Sequence, residues 1–379
     1  MPRLEWTVTR FPCRLWAKLV EKWHLLKLLY FTLCFNSFTT WSSTFELSME
    51  PLFWFVDHFA RYLGPIFMLL VVCLTTSVVV IFYLCILPDI FNRSIGWTLF
   101  HLLFGHWLLV NIIFHYVMAA FTDPGKPPTE VPQTVSLCKK CVSAKPPRTH
   151  HCSVCRMCVL KMDHHCPWLN NCVGFFNHRY FFLFCVYMWT GTVYVSITGY
   201  DLFREHFYGS RDVYFPGALY PLNMAHHLVM GDSRPGMNET IAEAEGVTGD
   251  HVSEADWTPE KVVHSAIVYE FMLCSGVVIA LGLLTVWHAR LIATGQTSIE
   301  AHINKKERKR LKEKGLVFKN PYDFGWRKNW EIFLGLEDGR TFFKNVLFPS
   351  THSPYGEGLI WQRSDHDVCV KEDTTVTQL

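Results

Sequence analysis

The sequence predicts an α-helical integral membrane protein, with four transmembrane helices and a small cytosolic Cys/His-rich two-zinc domain between the second and third spans. Three observations predict this fold class. Half of the 379 residues are apolar and 15% are aromatic, which is too apolar for an ordinary solvated surface. Four apolar runs have the length of a membrane span. Seven of the 14 cysteines fall between Cys138 and Cys172, where histidines alternate with them.

The four apolar runs are residues 66–87, 97–121, 180–200 and 268–289. A hydrocarbon core of about 30 Å takes roughly 20 helical residues, so each run is long enough to cross it. Buried helices of a soluble domain are the alternative. The run 66–87 argues against that alternative, because no charged residue interrupts it.

Charged residues in the loops predict the orientation of the spans. The segment 122–179 holds eight Lys and Arg residues, and residues 305–314 after the fourth span hold seven. By the positive-inside rule both segments are cytosolic, and we expect both termini there. The loop 201–263 holds four basic residues against eleven acidic ones and contains the sequon at Asn238, so we expect it in the lumen.

These features divide the chain into five parts. Residues 1–65 form a cytosolic N-terminal region, 66–121 the first two spans, and 122–179 the cytosolic zinc-binding domain. Residues 180–289 hold spans three and four with the lumenal loop 201–263, and 290–379 form a cytosolic C-terminal region. The apolar stretch 25–38 is either an interfacial helix or a fifth span. No internal repeat is evident, and no cleaved signal peptide is expected.

The cysteines and histidines of the segment 138–172 have the spacing of metal ligands. The order is Cys138-x2-Cys141, His150-His151-Cys152-x2-Cys155-x2-Cys158, Asp163-His164-His165-Cys166 and Cys172. Disulfide frameworks are not interleaved with histidines in this way, so we expect reduced, metal-bound thiols. Two tetrahedral zinc ions need eight ligands, and seven cysteines with four histidines offer eleven. One cysteine and some histidine are therefore left over.

Cys166 is the candidate for the spare cysteine. It follows Asp163 and His164, a grouping in which an imidazole can take the thiol proton while a carboxylate fixes the tautomer of that imidazole. Nearby zinc ions and basic residues favour thiolate over thiol. A purely structural zinc domain is the alternative, since ligand counting alone does not identify which cysteine is spare.

The segment resembles the cysteine-rich domain of the DHHC-type (zinc-finger DHHC) protein S-palmitoyltransferases at every Cys and His of this spacing. The resemblance extends over roughly residues 60–335. Asp123-Pro124-Gly125 resembles the family's DPG motif, and Asn320-Pro321-Tyr322, with Gly325 and Asn329, resembles its C-terminal Asn/aromatic motif. The family's TTxE motif reads Thr297-Ser298-Ile299-Glu300 here. Serine keeps the hydroxyl of threonine, so we expect its hydrogen bonding to survive.

The resemblance implies two interleaved sets of ligands for two structural Zn²⁺ ions. The first set is Cys138, Cys141, His151 and Cys158, and the second is Cys152, Cys155, His165 and Cys172. It also implies that Cys166 is the nucleophile, that His164 is its base, and that Asp163 orients His164.

The reaction that the resemblance implies is ping-pong acyl transfer. A long acyl chain passes from acyl-CoA, typically palmitoyl-CoA, to Cys166 and then to cytosolic cysteines of membrane-associated substrate proteins. Arg148 and Arg179 are candidates for contacts with CoA phosphates. Gly191, about 16 Å into the third span, either lines the acyl slot or serves close helix packing. We expect an endoplasmic reticulum or Golgi membrane and no nucleic-acid partner.

Two other classes of protein stay open. A catalytically idle, zinc-bearing membrane adaptor would share this fold and tolerate the loss of Cys166, so acyl-enzyme formation separates it from the enzyme. A metal transporter would need ionisable residues that face each other at mid-membrane, whereas the acids lie mostly outside the predicted spans.

Overall fold

The computed structural model describes residues 10–34, 41–131, 136–209, 259–337, 339–364 and 369–371. The chain separates into two units, Met1–Tyr62 and Leu63–Leu379. Asn238 and most of the predicted lumenal loop lie outside the described residues.

The first unit holds helix α1 (Arg10–Cys34) and the beginning of helix α2 (Trp41–Ile81). The stretch 25–38 falls partly on α1, and its residues 35–38 lie outside the described part of the chain. Among the described helices, α1 is not one that is long and apolar enough to cross a membrane. Its charged residues, such as Lys22 and Lys27, explain this. An interfacial position for α1 stays a prediction.

Four helical segments of the described chain can cross a membrane: Tyr62–Arg93, Ile95–Phe121, His178–Thr198 and Pro259–Ala293. They confirm the four predicted spans. The first consists of α2, a π-helical turn (Phe82–Ile86) and α3 (Leu87–Arg93). The second, third and fourth are α4 (Ile95–Phe121), α5 (His178–Thr198) and α7 (Pro259–Ala293), and α6 (Tyr200–Gly209) follows α5.

The ends of the spans differ from the prediction for local reasons. Helix α7 begins at Pro259, nine positions before the predicted start, because proline fits the first turn of a helix and apolarity is not needed there. Helix α5 ends at Thr198, where Gly199 takes the C-terminal cap, two positions before the predicted end. Hydrophobicity therefore located the spans but not the caps that end them.

Helices α4, α5 and α7 share the largest buried core of the second unit. Leu108 and Ile112 come from α4, Phe181 from α5 and Ile292 from α7. Cys166 belongs to the same cluster. The apolar core that the spans share therefore extends to Cys166, the candidate nucleophile.

Three antiparallel hairpins form the Cys/His-rich segment. Strand β1 (Ser136–Cys138) pairs with β2 (Ser143–Lys145), β3 (His150–Cys152) with β4 (Met157–Val159), and β5 (His164–Cys166) with β6 (Asn171–Val173). Equivalent positions recur every 14 residues, since the first strands end at residues 138, 152 and 166.

The turns repeat as well. Val142, Arg156 and Asn170, also 14 positions apart, all have left-handed backbone conformations, with φ of 52°, 54° and 50°. The expectation that the chain has no internal repeat was therefore wrong. The repeat is weak in the sequence because few residues besides Cys and His recur in it.

The ends of the second and fourth spans are tied to the hairpins and to the C-terminal region. The Gly125 amide donates to Asp123 Oδ1 (2.8 Å), and the Gly125 carbonyl accepts from the Leu160 amide (2.9 Å). Asn320 Nδ2 donates to the Thr294 carbonyl and Asn329 Nδ2 to the Ala293 carbonyl. The Asn/aromatic motif thus satisfies carbonyls that the last turn of α7 leaves open.

The C-terminal region contains three short helices and one pair of antiparallel strands among its described residues. Helix α8 (Ser298–Lys312) begins with a capping box between Thr297 and Glu300. Strand β7 (Leu316–Phe318) pairs with β8 (Cys369–Lys371). Helices α9 (Trp326–Leu334) and α10 (Phe342–Asn345) lie between these strands in the chain.

Candidate active site and metal centres

The hairpins bring each predicted zinc set together. The ligand atoms of Cys138, Cys141, His151 and Cys158 lie within 4.8 Å of one another, and so do those of Cys152, Cys155, His165 and Cys172. The first set takes its Cys-x2-Cys pair from the first hairpin and its His and Cys from the second. The second set uses the second and third hairpins in the same way.

The separations within the sets fit zinc. His151 Nδ1 lies 3.6 Å from Cys138 Sγ and 3.2 Å from Cys141 Sγ, and Cys158 Sγ lies 3.7 Å from Cys141 Sγ. Tetrahedral zinc at ordinary bond lengths would hold a ligand nitrogen and sulfur about 3.6 Å apart and two sulfurs about 3.8 Å apart. His165 Nδ1 lies 3.3 and 3.6 Å from two sulfurs of its own set. Both sets are Cys₃His clusters suited to a metal ion.

Strand β5 separates the candidate catalytic residues from the metal ligand between them. Successive side chains of a strand point to opposite faces, so His164 and Cys166 share one face and His165 takes the other. Cys166 is 7% exposed. His164 Nδ1 lies 2.7 Å from Asp163 Oδ2. The three predicted catalytic residues therefore lie together on the side away from the metal set.

The electrostatics of this group favour an ionised carboxylate and a basic imidazole. Burial alone would raise the pKa of the Asp163 carboxyl, but the imidazoles of His178 and His164 outweigh it and hold that pKa well below its usual range. For His164, burial alone would lower the pKa. Hydrogen bonds to Asp163 and Cys166 outweigh it and raise the pKa to about 9. His164 is thus able to take and hold the proton of a thiol.

Asp163 is also held by residues that the sequence did not single out as site residues. The Ser298 amide donates to Asp163 Oδ1 (2.7 Å) and the Ser298 hydroxyl to Oδ2 (2.9 Å), so the expected hydrogen bonding of serine in the TTxE motif is confirmed. His178 and His288 approach the same carboxylate to 3.9 Å from α5 and α7. Their position at the ends of apolar spans is the sequence signal that could have identified His178 and His288.

Arg148 has protein partners instead of a free guanidinium. It forms two bonds of 2.6 Å to the carboxylate of Glu300 and donates to the Gly295 carbonyl (3.0 Å). The rings of Tyr322 and Trp361 cover it at 4.4 and 4.6 Å. These bonds use Nε and Nη2, and a contact of Arg148 with CoA phosphate stays a prediction. Arg148 joins the hairpins to the start of α8.

Arg179 is similarly occupied. It is 6% exposed and donates to the carbonyls of Ser350 (3.3 Å) and His352 (2.7 Å), while its guanidinium lies over the ring of Tyr180. Both bonds come from Nη2, while Nη1 is buried without a hydrogen-bond partner among the described residues, and a contact of Arg179 with CoA phosphate stays a prediction. A charge count along the sequence identified both arginines but could not show which partners they have.

An apolar cavity of about 430 Å³ begins at Cys166 and extends between the spans. Trp168 lines it beside Cys166, and His101, Tyr194 and Phe82 line it further along α4, α5 and the π-helical turn. The cavity connects a candidate nucleophile with a long apolar space. This is the shape that an extended hydrocarbon chain needs.

Gly191 lines the same cavity, which is one of the two roles that the sequence left open for it. A Cβ atom at this position would lie 3.1 Å from Cδ1 of Ile112, which also lines the cavity. Gly191 therefore lies both where α4 packs closely on α5 and where the cavity is narrow. Whether Gly191 limits the acyl chain stays a prediction.

Comparisons with known proteins agree with this site. The family model of the DHHC palmitoyltransferases matches residues 132–305. Palmitoyltransferase ZDHHC16A of Danio rerio is 44% identical over 354 residues, which cover 89% of this chain and 88% of that protein. Palmitoyltransferase ZDHHC16 of Homo sapiens is 45% identical over 347 residues, with 91% and 87% covered.

A more distant relative, probable protein S-acyltransferase 12 of Arabidopsis thaliana, is 29% identical over 250 residues, which cover 61% of this chain and 67% of that protein. The vertebrate relatives match nearly the whole length of the chain, including all four spans. The chain therefore belongs to the DHHC palmitoyltransferase family and is a multi-pass membrane protein S-palmitoyltransferase.

Proposed function

We propose that Cys166 is the nucleophile of the palmitoyl transfer and that acyl-CoA is the donor. The Cys166 thiolate attacks the thioester carbonyl of acyl-CoA, the bond from that carbonyl to the CoA sulfur breaks, and the departing CoA thiolate takes the proton held by His164. A substrate cysteine then gives its proton to His164 and attacks the acyl-enzyme carbonyl. Cys166 leaves as a thiolate, which restores the starting state.

The observation that carries this proposal is the position of Cys166. The Cys166 thiol hydrogen-bonds to His164, whose Nδ1 is fixed by Asp163, and Cys166 also lines the apolar cavity. Burying an acyl chain stabilises it by roughly 0.8 kcal/mol for each CH₂ group, so the cavity can hold the chain while the thioester lies at Cys166.

The two Cys₃His clusters support a structural role for zinc. We assign one Zn²⁺ ion to Cys138, Cys141, His151 and Cys158 and another to Cys152, Cys155, His165 and Cys172, because only these groupings bring four donors together among the described residues. Bound zinc contributes folding free energy to a domain with little apolar core of its own. The hairpins then fix the backbone of Asp163, His164 and Cys166.

The membrane and the orientation follow from the charge pattern. We place residues 122–179 and both termini in the cytosol, and the loop 201–263 in the lumen of the endoplasmic reticulum or Golgi. Substrates are then membrane-associated proteins with cytosolic cysteines. Glycosylation of Asn238, or protection of the loop from protease in sealed vesicles, is the expected result. A loop that protease cleaves from the cytosolic side would invert the proposed topology.

Labelling with palmitoyl-CoA tests the nucleophile. Wild-type protein in detergent should form a thioester that hydroxylamine cleaves, and Cys166→Ser should form none. Cys185→Ala is the matched control, because Cys185 is also buried and lines the same cavity, and this variant should keep labelling. Labelling of Cys166→Ser at the wild-type level would disprove the assignment. A wild-type chain that takes no acyl group would favour the adaptor.

A further inference from the structure

The segment 341–349, which contains α10, exposes more aromatic surface than a soluble loop needs. Phe342, Phe343 and Phe348 are 53%, 64% and 46% exposed. Lys344 is the one charged residue among these nine positions. Contiguous exposed apolar surface marks a contact with a protein or a membrane. The outer face of this segment therefore needs an occupant.

Side chains of two membrane spans hold the backbone of this segment. Trp107 Nε1 of α4 donates to the Leu347 carbonyl at 3.0 Å, and Tyr187 Oη of α5 donates to the Val346 carbonyl at 2.7 Å. Asn111 Nδ2 adds a longer bond of 3.4 Å to the Leu347 carbonyl. The side chain of Val346 is buried in the core that α4 and α5 share. The segment thus lies against the spans.

These anchors are deep in the membrane. Tyr187 follows His178, the first residue of α5, by nine positions, or about 13 Å, and α5 as a whole is about 31 Å long, with almost no length beyond a hydrocarbon core of about 30 Å. Trp107 precedes Phe121, the end of α4, by about 21 Å. Helix α4 is roughly 10 Å longer than the hydrocarbon core is thick. Even if all of this excess lay outside the core at the Phe121 end, Trp107 would be about 11 Å below the surface of the hydrocarbon core.

After residue 349 the chain returns to the end of α5 that is next to the Cys/His-rich domain. Arg179, in the first turn of α5, donates to the carbonyls of Ser350 and His352. Arg179 and Tyr187 are about 12 Å apart along α5. Asn345 Nδ2 also donates to Ser350 Oγ at 3.2 Å, so the chain bends back toward Arg179 directly after α10.

We infer that residues 341–349 form a re-entrant membrane segment, and that the occupant of their outer face is lipid hydrocarbon in the leaflet next to the Cys/His-rich domain. The deepest carbonyls, of Val346 and Leu347, already have hydrogen-bond donors, which non-helical backbone at this depth requires. Lys344 has a side chain long enough to reach the headgroups. Residues 341–349 would then be an exception to the cytosolic position expected for the rest of the region 290–379.

A protein partner is the competing occupant, and the depth of the anchors argues against it. A soluble partner would have to enter the hydrocarbon to cover Phe342, Phe343 and Phe348. Lipid chains reach that level without additional contacts. The membrane spans also expose large apolar side chains, and Leu103 and Leu283 are 75% and 72% exposed.

Photo-crosslinking in nanodiscs tests the inference on the full chain. The probe is a phosphatidylcholine with a diazirine at the end of one acyl chain, and labelled peptides are identified by mass spectrometry. The peptide with residues 342–348 should be labelled as strongly as peptides with Leu103 or Leu283. It should be labelled at least tenfold more strongly than the peptide with Tyr355 and Ile360, which are as exposed but lie beyond the return at Ser350.

A water-soluble diazirine provides the opposite readout. It should label Tyr355 and Ile360 and leave residues 342–348 unlabelled. Equal labelling of both peptides by the water-soluble probe would overturn the inference, and so would labelling of 342–348 only in the presence of another protein. Phe343→Asp should reduce lipid labelling of its peptide several-fold, whereas Tyr355→Asp should not. If Phe343→Asp fails to fold, the wild-type comparison decides alone.

Discussion

The second and third hairpins of the Cys/His-rich segment have the same plan but different chemistry. Thr149-His150-His151-Cys152 in one corresponds to Asp163-His164-His165-Cys166 in the other, position by position. The second histidine of each run, His151 or His165, belongs to a metal set. The cysteine paired with it in the second strand, Cys158 or Cys172, belongs to the same set. The last cysteine differs, since Cys152 belongs to a metal set and Cys166 does not.

The difference follows from the order of the hairpins. Each set combines the Cys-x2-Cys pair of one hairpin with the His and Cys of the next. The third hairpin is the last, and it has Leu169 where the others have their second cysteine. Cys166 therefore has no metal set to join. A nucleophile can arise in this way at the end of a series of zinc-binding hairpins.

The residues before the cysteines complete the comparison. Burial lowers the pKa of His150, which has threonine before it. His164 is also buried, but Asp163 precedes it, and the pKa of His164 rises to about 9. Asp163, together with Cys166, therefore gives His164 the raised pKa that a base needs.

The largest expected effect is the difference between serine substitutions at the two equivalent cysteines, Cys152 and Cys166. Cys152→Ser should lose one of the two zinc ions and most of the folded domain, because structural zinc contributes on the order of 10 kcal/mol. Cys166→Ser should keep both ions and the wild-type melting temperature. Metal analysis with thermal unfolding measures both. Loss of zinc from Cys166→Ser would mean that a ligand has been taken for the nucleophile.

Asp163→Asn should make the third hairpin behave like the second. Loss of the carboxylate removes a main cause of the raised pKa of His164, so burial again lowers it. We expect acyl-enzyme formation to fall by about 10²- to 10⁴-fold, the usual contribution of a general base. In the wild type the rate should decline as the pH rises through about 9, where the imidazolium loses the proton that CoA takes. In Asp163→Asn this decline should move to lower pH. An unchanged pH profile would contradict the role of Asp163.

Ser298 provides a smaller test of the same carboxylate. Ser298→Ala removes the hydroxyl bond to Asp163 Oδ2 and should slow acylation about tenfold, since hydrogen bonds to charged groups contribute about 1.5–3 kcal/mol. Ser298→Thr keeps the hydroxyl and should stay within twofold of the wild type. Initial rates of acyl-enzyme formation distinguish the two. Equal rates for all three proteins would show that the backbone bond from residue 298 is sufficient.

The smallest expected effect is a change of chain-length preference. Gly191→Phe should leave uptake of short acyl chains intact and reduce palmitoyl and stearoyl transfer, because its side chain would enter the cavity beside Ile112. Gly276→Phe is the control, since a side chain there meets open space. Competition between acyl-CoAs of different length measures the preference. An unchanged profile in folded Gly191→Phe would leave helix packing as its role.

Sequence reasoning predicted the parts of this fold that depend on pattern. Four apolar runs predicted four spans, and ligand spacing with the family resemblance predicted both metal sets. It did not predict which long-range partners complete the catalytic group. His288 lies on a span far from Asp163 in the chain, and periodicity within α7 carries no information about that contact. Nor did it predict the partner of Arg148, because Glu300 lies 152 positions away in the chain.

The contact between Ser298 and Asp163 also has a consequence for biosynthesis. The two residues are separated by 135 positions, and the fourth span lies between them. A nascent chain therefore finishes its metal-binding hairpins and its nucleophile well before the ribosome has made the residue that holds the carboxylate. Full activity must wait until the last span is inserted and α8 has emerged. A chain truncated before residue 298 would bind zinc and still be a slow enzyme.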